Sequence, residues 1–389
     1  MIEKVYNKDN LIKAFNAVKN NKGSYGIDKV SIGKYEENLS NNLDEVQRLL
    51  VIEKYKPQPV KQVLIPKTNG KYRPLGIPTV RDRIVQQSLL EVIQPTFENM
   101  FSDTSYGFRP NRSAIQAINK VQDYLEEGYK YIVEADIRDF FGQLNQQRLI
   151  CKVKEQIKER SILSLVWKFL RAGIMEDGKV KKTISGTPQG GVISPLLANI
   201  YLNDFDHKIE KAGFELVRYA DDFVILCKTV NQATAAMKMV RSLIKSMKLE
   251  LAEEKTGIAE YRNGFDFLGY RFQKVYGNNY RRPTKKAIKA FKDKIRYKTR
   301  RQQPKNVAMV VNEIAPVVRG WGNYFRYGNN KERFKSLDSW IRMRLRSFIE
   351  KKKWPTGLNW MHPNDHFEKL GLVSLTDLLI YQQKLSLPT

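Results

Sequence analysis

Two apolar runs, Leu216-Val-Arg-Tyr-Ala220 and Phe223-Val-Ile-Leu-Cys227, enclose the acidic pair Asp221-Asp222. Runs this rich in β-branched and aromatic residues read as strands, and two residues between them is the spacing of a tight hairpin. The chain is thereby committed to a sheet that carries carboxylates at the bend between two buried strands. A further apolar strand, Tyr131-Ile-Val-Glu-Ala-Asp136, also ends on a carboxylate. An acidic bend by itself is more often a solvated turn, and a lone one has no need of apolar strands to carry it into a core. If the two strand ends are neighbours, Asp136 and Asp221-Asp222 form a cradle for divalent metal. Mg2+ takes oxygen ligands in octahedral geometry, usually one or two carboxylates completed by substrate phosphates. Two such ions can stabilise both the attacking and the leaving oxygen of a phosphoryl transfer.

Punctuation by Gly and Pro divides the remainder. Val60–Pro66 and Lys71–Ile77 read as hairpin partners joined by the turn Thr68-Asn-Gly70. Hydrophobic periodicity predicts helices over about 82–97, 113–126 with Ser113 as N-cap, 146–158, 161–171, 194–211 opened by Ser194-Pro195, and 231–247. A short strand pair is expected between Leu249 and Tyr270, and beyond Tyr280 come basic helices at about 284–299 and 339–353. A domain boundary is expected near 275–283.

Charge points to the partner. Lys and Arg number 68 against 41 Asp and Glu, a net +27. Residues from Arg281 onward hold 25 basic and 8 acidic residues, a net +17, against 43 and 33, a net +10, over 1–280. So large an excess implies a polyanion. No stretch approaches the ~20 apolar residues of a membrane span, and no signal peptide opens the chain, so no membrane role and a cytoplasmic protein of bacterial or organellar type are expected. Two cysteines, Cys151 and Cys227, and three histidines are too few for a Cys/His zinc site or a disulfide framework.

The wording around these carboxylates resembles reverse transcriptases. Asp136 followed by Phe140-Phe141, Thr187-Pro-Gln-Gly-Gly191 with Ser194-Pro195, Tyr219-Ala-Asp-Asp222, and Phe267-Leu-Gly-Tyr270 occur in the order of that family. Ile65-Pro-Lys through Arg73-Pro-Leu-Gly-Ile-Pro78, Tyr106-Gly-Phe-Arg-Pro110 and Arg319-Gly-Trp-Gly-Asn-Tyr-Phe325 narrow the resemblance to group II intron reverse transcriptase/maturases. It covers about Gly26 to Lys353. It implies an α+β right-hand polymerase, with fingers and palm as an antiparallel sheet packed on helices, followed by an α-helical thumb or domain X. The corresponding spans are 1–130 for the N-terminal extension and fingers, with 143–185 contributing, 131–278 for the palm, and 279–389 for the thumb.

The resemblance also implies residue roles. Asp136, Asp221 and the backbone carbonyl of Ile137 would hold two Mg2+, with Mn2+ as a substitute, and Asp222 would tune the site. Lys67 and Arg73, on the two arms of the fingers hairpin, would grip the triphosphate of a deoxynucleotide, unless they are ordinary exposed hairpin charges. Phe141 would lie under the incoming sugar and exclude a 2′-hydroxyl; Phe140 competes for that role, since strand alternation would send one ring into the core. Gln189 and Gly190 would line the nucleotide and template path, or form only a Gly-rich turn. Lys255 would donate a proton to, or contact, the departing pyrophosphate. Phe267, Leu268, Gly269 and Tyr270 would support the primer terminus, although a core strand reads the same way. Arg109 and Arg112 suggest template contacts, and Lys285, Lys286, Lys289, Arg342, Arg344 and Arg346 phosphate contacts along a duplex. Trp321, Tyr324 and Phe325 suit a thumb core better than base stacking.

One departure stands out: Gly142 occupies the place where the family usually has an Asp after the paired phenylalanines. The chain also stops soon after the thumb, resembling endonuclease-lacking or free-standing members. The partners expected are an RNA template with a DNA or RNA primer, deoxynucleoside triphosphates, and group II intron RNA. Two functions follow, DNA synthesis on RNA and a maturase role of binding structured intron RNA; a free-standing member would serve repair or defence. The bulk of Phe141 argues against a third, RNA synthesis.

Overall fold

Alternating exposure along the predicted strands becomes three small sheets. The computed structural model describes residues 1–66, 72–176, 179–181, 185–187, 190–352 and 359–379. The chain divides into two compact units, Met1–Ala259 and Glu260–Thr389. In the first lie β1 (Val60–Pro66), β2 (Tyr72–Ile77), β3 (Tyr131–Asp136), β4 (Ile174–Glu176), β5 (Lys179–Lys181), β6 (Glu215–Tyr219) and β7 (Asp222–Cys227), with β8 (Gly257–Glu260) at the junction. β1 and β2 form the expected hairpin, in register from Lys61 opposite Ile77 to Pro66 opposite Tyr72. β1 also runs parallel to β4, giving a sheet of order β2-β1-β4-β5. The second sheet, β6-β7-β3-β8, brings the two acidic strand ends together.

Helices cover these sheets because they present apolar faces. Ser113 caps Ala114–Glu126 by accepting from Gln116 N at 3.3 Å. Ser194–Lys211 is buried over most of its surface, with Leu196, Leu197, Tyr201 and Phe205 inside together with the polar Asn199 and Asp206. Ser194 is its first residue rather than its cap, and its hydroxyl shares a 2.8 Å hydrogen bond with Thr187. One continuous core runs from Val5 through Phe97, Phe140 and Phe205 to Leu251, so the expected fingers and palm share a single interior.

In the second unit β9 (Phe265–Phe267), β10 (Tyr270–Val275) and β11 (Asn278–Pro283) form a sheet, followed by helices Lys285–Lys298, Val307–Phe325 and Lys331–Ile349. The boundary expected at 275–283 falls inside this sheet; β9 to β11 pair with one another, which keeps them with the helices that follow. The third helix begins eight residues before the expected Ser339. The Trp321 ring stacks on Phe291 at 4.6 Å and meets Phe325 at 4.7 Å. Phe325 is thus a core residue, while Trp321 and Tyr324 are half-buried with their rings packed on its neighbours.

Candidate active site

The acidic hairpin closes one residue earlier than its wording suggests. Tyr219 pairs with Asp222, so the two-residue loop is Ala220-Asp221 and Asp222 opens β7. Ala220 carries φ +60°, a left-handed value that costs a non-glycine residue energy and persists only where surroundings hold it.

Those surroundings are built by Arg218. It is 0 % exposed, although it sits in the middle of an apolar strand. Its guanidinium makes a forked ion pair with Asp206, also 0 % exposed, and donates at 3.0 Å to Asn199 Oδ1 and at 2.8 Å to the carbonyl of Ala220. Asn199 in turn donates to the Gly107 carbonyl at 2.8 Å. A side chain at 107 would collide with the hairpin, for the Tyr219 carbonyl carbon lies 2.9 Å from where its first carbon would sit. Gly107 and Arg218 support the acidic hairpin, and the motifs alone gave them no role. A lone arginine in an apolar strand was the available signal, since such a residue is almost never fully buried without a partner.

β3 pairs with β7 so that Asp136 stands directly opposite Asp222. Directly opposed residues share one face with Cβ atoms ~5 Å apart, and like charges there destabilise a sheet. Burial raises the Asp221 carboxyl above its ordinary range and Asp136 adds to the rise, while Arg73 and Arg218 oppose it. Asp222 is pushed up to about 7 by the protein packed around it, then by Asp221, Asp136 and Glu134. Its side chain is nonetheless exposed to solvent, so the neighbouring carboxylates are the part of that rise with the firmer physical basis. The Lys255 ammonium answers part of the negative charge by pairing with Asp136 Oδ2.

This set suits a divalent cation held by few protein ligands. Among the described residues no three His, Cys, Asp or Glu side chains close into a metal-holding cluster. Mg2+ needs only one or two carboxylates beside substrate phosphates. Ile137 opposes Leu251 in an isolated bridge flanked by the bonds Arg138 N to Glu250 O and Ala252 N to Asp136 O, both 2.8 Å. Its own carbonyl accepts no hydrogen bond among the described residues, an oxygen left over beside the carboxylates.

The other expected residues separate. Arg73 lies on β2, exposed and within electrostatic reach of Asp221. Lys67 and Gln189 fall outside the described residues. Phe140–Gln143 form a short helix instead of continuing β3, because Asp139 turns left-handed at φ 38°. Strand alternation therefore does not apply, and Phe140 and Phe141 are both buried. The Phe141 carbonyl accepts from Thr187 N at 2.8 Å, tying its backbone to the 185–187 loop. The Asp139 carboxylate fills the space into which a side chain at Gly142 would project. Gly190, at φ +107°, makes its close approach to the chain's own β2, with Leu75 Cδ1 3.0 Å from where a Cβ would be.

Three arginines expected on nucleic acid are turned inward. Arg109 pairs with Glu98 at 2.7 Å and donates to the Ser102 and Ser105 carbonyls, its side chain 5 % exposed. Arg344 donates to Thr299 Oγ1 at 3.1 Å and its carbonyl at 2.9 Å. Arg346 donates to the His362 carbonyl and Asn364 Oδ1, both at 2.9 Å. Each ties separate chain segments together, so a phosphate would have to displace structural bonds. Arg112 pairs with Asp103 at the surface, Arg342 is half-buried, and Lys285, Lys286 and Lys289 are exposed along one helix. In the second unit, Phe267 and Tyr270 are buried. Leu268 and Gly269, both at positive φ, form the two-residue turn between β9 and β10, and the Leu268 carbonyl accepts from Tyr324 Oη at 2.8 Å.

Comparison with known proteins agrees with this arrangement. Residues 65–272 match the family described as Reverse transcriptase (RNA-dependent DNA polymerase), and residues 288–364 match the Group II intron, maturase-specific domain. The chain is 34% identical over 302 residues to Protein YkfC of Escherichia coli, covering 67% of this chain and 79% of that protein. It is 32% identical over 282 residues to Group II intron-encoded protein LtrA of Lactococcus lactis, covering 56% of this chain and 47% of LtrA. The chain thus spans less than half the length of LtrA. No helix among the described residues is long and apolar enough to cross a membrane. With more than half of its length matched, and carboxylates, hairpin and maturase segment in order, the chain belongs to the group II intron reverse transcriptase/maturase family.

Proposed function

We propose that the protein extends a primer 3′-hydroxyl with deoxynucleotides on an RNA template, using Mg2+ held by Asp136, Asp221 and the Ile137 carbonyl. The observation that carries this reading is the meeting of Asp136 with Asp221-Asp222 at adjoining strand ends inside the matched segment. The ions, when bound, would lower the pKa of the primer hydroxyl and neutralise charge on the leaving pyrophosphate. Asp136 and Asp221 supply the negative ligands, and Asp222, facing Asp136, sets how much charge the site holds. Arg218 keeps Asp221 in place through the Ala220 carbonyl. Lys255 releases Asp136 as the site fills and reaches toward phosphate oxygens. Arg73 offers a forked donor to the triphosphate, and the buried Phe141 ring takes the place where a 2′-hydroxyl would fall.

Extension of a primed RNA template with deoxynucleotides, run beside a DNA template and beside ribonucleotides, tests the reading; it fails if ribonucleotides are incorporated equally well or RNA is not copied. A second role, holding intron RNA, is favoured by the match over 288–364 and by the net +17 from Arg281 onward. A flanking group II intron in the gene would support it.

A further inference from the structure

The sheet in the second unit gathers like charges that are only partly answered. β10 and β11 set Arg271 directly opposite Arg282, an arrangement that costs energy between like charges. Arg271 has Asp266 at 2.9 Å. Among the described residues Arg282 donates to a neutral amide, Gln273 Oε1 at 3.1 Å. The start of the Lys331–Ile349 helix then brings a third guanidinium, Arg333, against Arg282. Arg333 donates weakly, at 3.4 Å, to the Pro283 carbonyl, and burial together with Arg282 lowers its pKa. Neither Arg282 nor Arg333 makes an ion pair among the described residues.

Arg282 and Arg333 line one cleft of about 620 Å³, within the size range of small-molecule sites. Tyr280, Asn329, Asn330 and Lys331 contribute to its wall, as does Glu332, whose carboxylate pairs with Lys335 at 3.2 Å. The helix start is also unsatisfied. Asn330, its capping residue, makes no side-chain cap bond. Its Nδ2 donates to the Phe325 carbonyl at 2.6 Å, while its Oδ1, in a residue 2 % exposed, has no partner. Free backbone N–H groups at a helix start attract anions.

We propose that this cleft binds one nucleotide unit of a polynucleotide, with the phosphate between Arg282, Arg333 and the helix start, and the base against Tyr280 and the unpartnered Asn330 oxygen. Paired guanidiniums match the geometry of a phosphate. An acceptor oxygen and an aromatic ring beside them have no use for a bare anion but suit a base, whose amino group donates and whose face stacks. The proposal rests on the reading that the chain binds nucleic acid, and adds a site separate from the carboxylates.

The test is fluorescence anisotropy of a labelled single-stranded oligoadenylate, whose bases carry an amino group, against the full chain at graded KCl. Arg282→Gln/Arg333→Gln should make the slope of log affinity against log salt shallower by about 0.7, the share of one single-strand phosphate. Arg282→Lys/Arg333→Lys should keep the parent slope. The melting temperature of the Gln variant should not fall, since two facing cations are removed; should it melt early, Arg333→Gln alone is read in the same way. An unchanged slope overturns the proposal, even if binding of inorganic pyrophosphate weakens, because that would mark a site for free phosphate. The readout is binding alone, so Asp221→Ala, which ends extension, leaves this slope as it is. Failure of the cleft and failure of the polymerase reading are therefore distinguishable.

Discussion

Replacing Arg218 with Met leaves the Asp206 carboxylate sealed in the core with nothing to answer its charge. Both partners are 0 % exposed, and Asp206 takes both of its strong bonds from this guanidinium. Breaking such a pair from one side costs about 3–5 kcal/mol. At about 2–4 °C per kcal/mol for a unit of this size, the melting temperature should fall by roughly 6–20 °C. Burial already holds the Asp206 carboxyl above its ordinary value against the pull of Arg218, so removing Arg218 raises it further. A carboxyl with a raised folded pKa is stabilising while protonated and loses that contribution as pH climbs through the folded value. The deficit of Arg218→Met should therefore be larger at pH 8 than at pH 5. Adding Asp206→Leu removes the orphaned charge and should recover most of the loss, because apolar replacement of a whole buried pair is often near neutral. Thermal unfolding of parent, single and double variants at the two pH values is the assay. A single variant melting within about 2 °C of the parent, or a double variant no better than the single, would refute the reasoning.

Gly107→Ala should cut primer extension more than it lowers melting temperature, because its methyl meets the Tyr219-Ala220 backbone that aims Asp221; equal losses would mean a purely structural glycine. Phe141→Ala should admit ribonucleotides in a misincorporation assay, and unchanged sugar selectivity would move the gate elsewhere. Gly142→Asp should be damaging, since Asp139 already fills that space, whereas Asp139→Gly/Gly142→Asp should extend primers better than Gly142→Asp alone. Arg346→Met should lower the melting temperature, since its two 2.9 Å bonds hold the 362–364 segment; a change confined to the salt dependence of RNA binding would restore its expected role on phosphate.

Local patterns in the sequence foretold what local physics decides. The strands β1, β3 and β7 lie where apolar density and the bounding turn residues place them, because short runs rich in β-branched side chains favour the extended chain. The hairpin slipped by one residue because its loop is fixed by tertiary bonds from Arg218 and by the closeness of Gly107, not by its own turn chemistry. Asp139 carries no signal of its own in the sequence, yet its left-handed turn follows β3 and opens the short helix in which both phenylalanines are buried. The arginines expected on phosphate and found bonded within the chain have one thing in common. A long cation looks the same in sequence whether it meets solvent, a carbonyl of its own loop, as Arg109 does, or one from a distant segment, as Arg344 does. The uncompensated pair Arg282 and Arg333 is the converse, made visible only when β11 and a helix start 50 residues later are brought together.

Mg2+-dependent primer extension by Asp221→Ala, measured beside its RNA affinity, bears most directly on the claim that carboxylates from two strand ends share the catalytic ions. Extension should vanish while RNA binding stays near the parent value. Extension that persists in Mg2+ would show that Asp221 is not a metal ligand, and the account of the site would have to be abandoned.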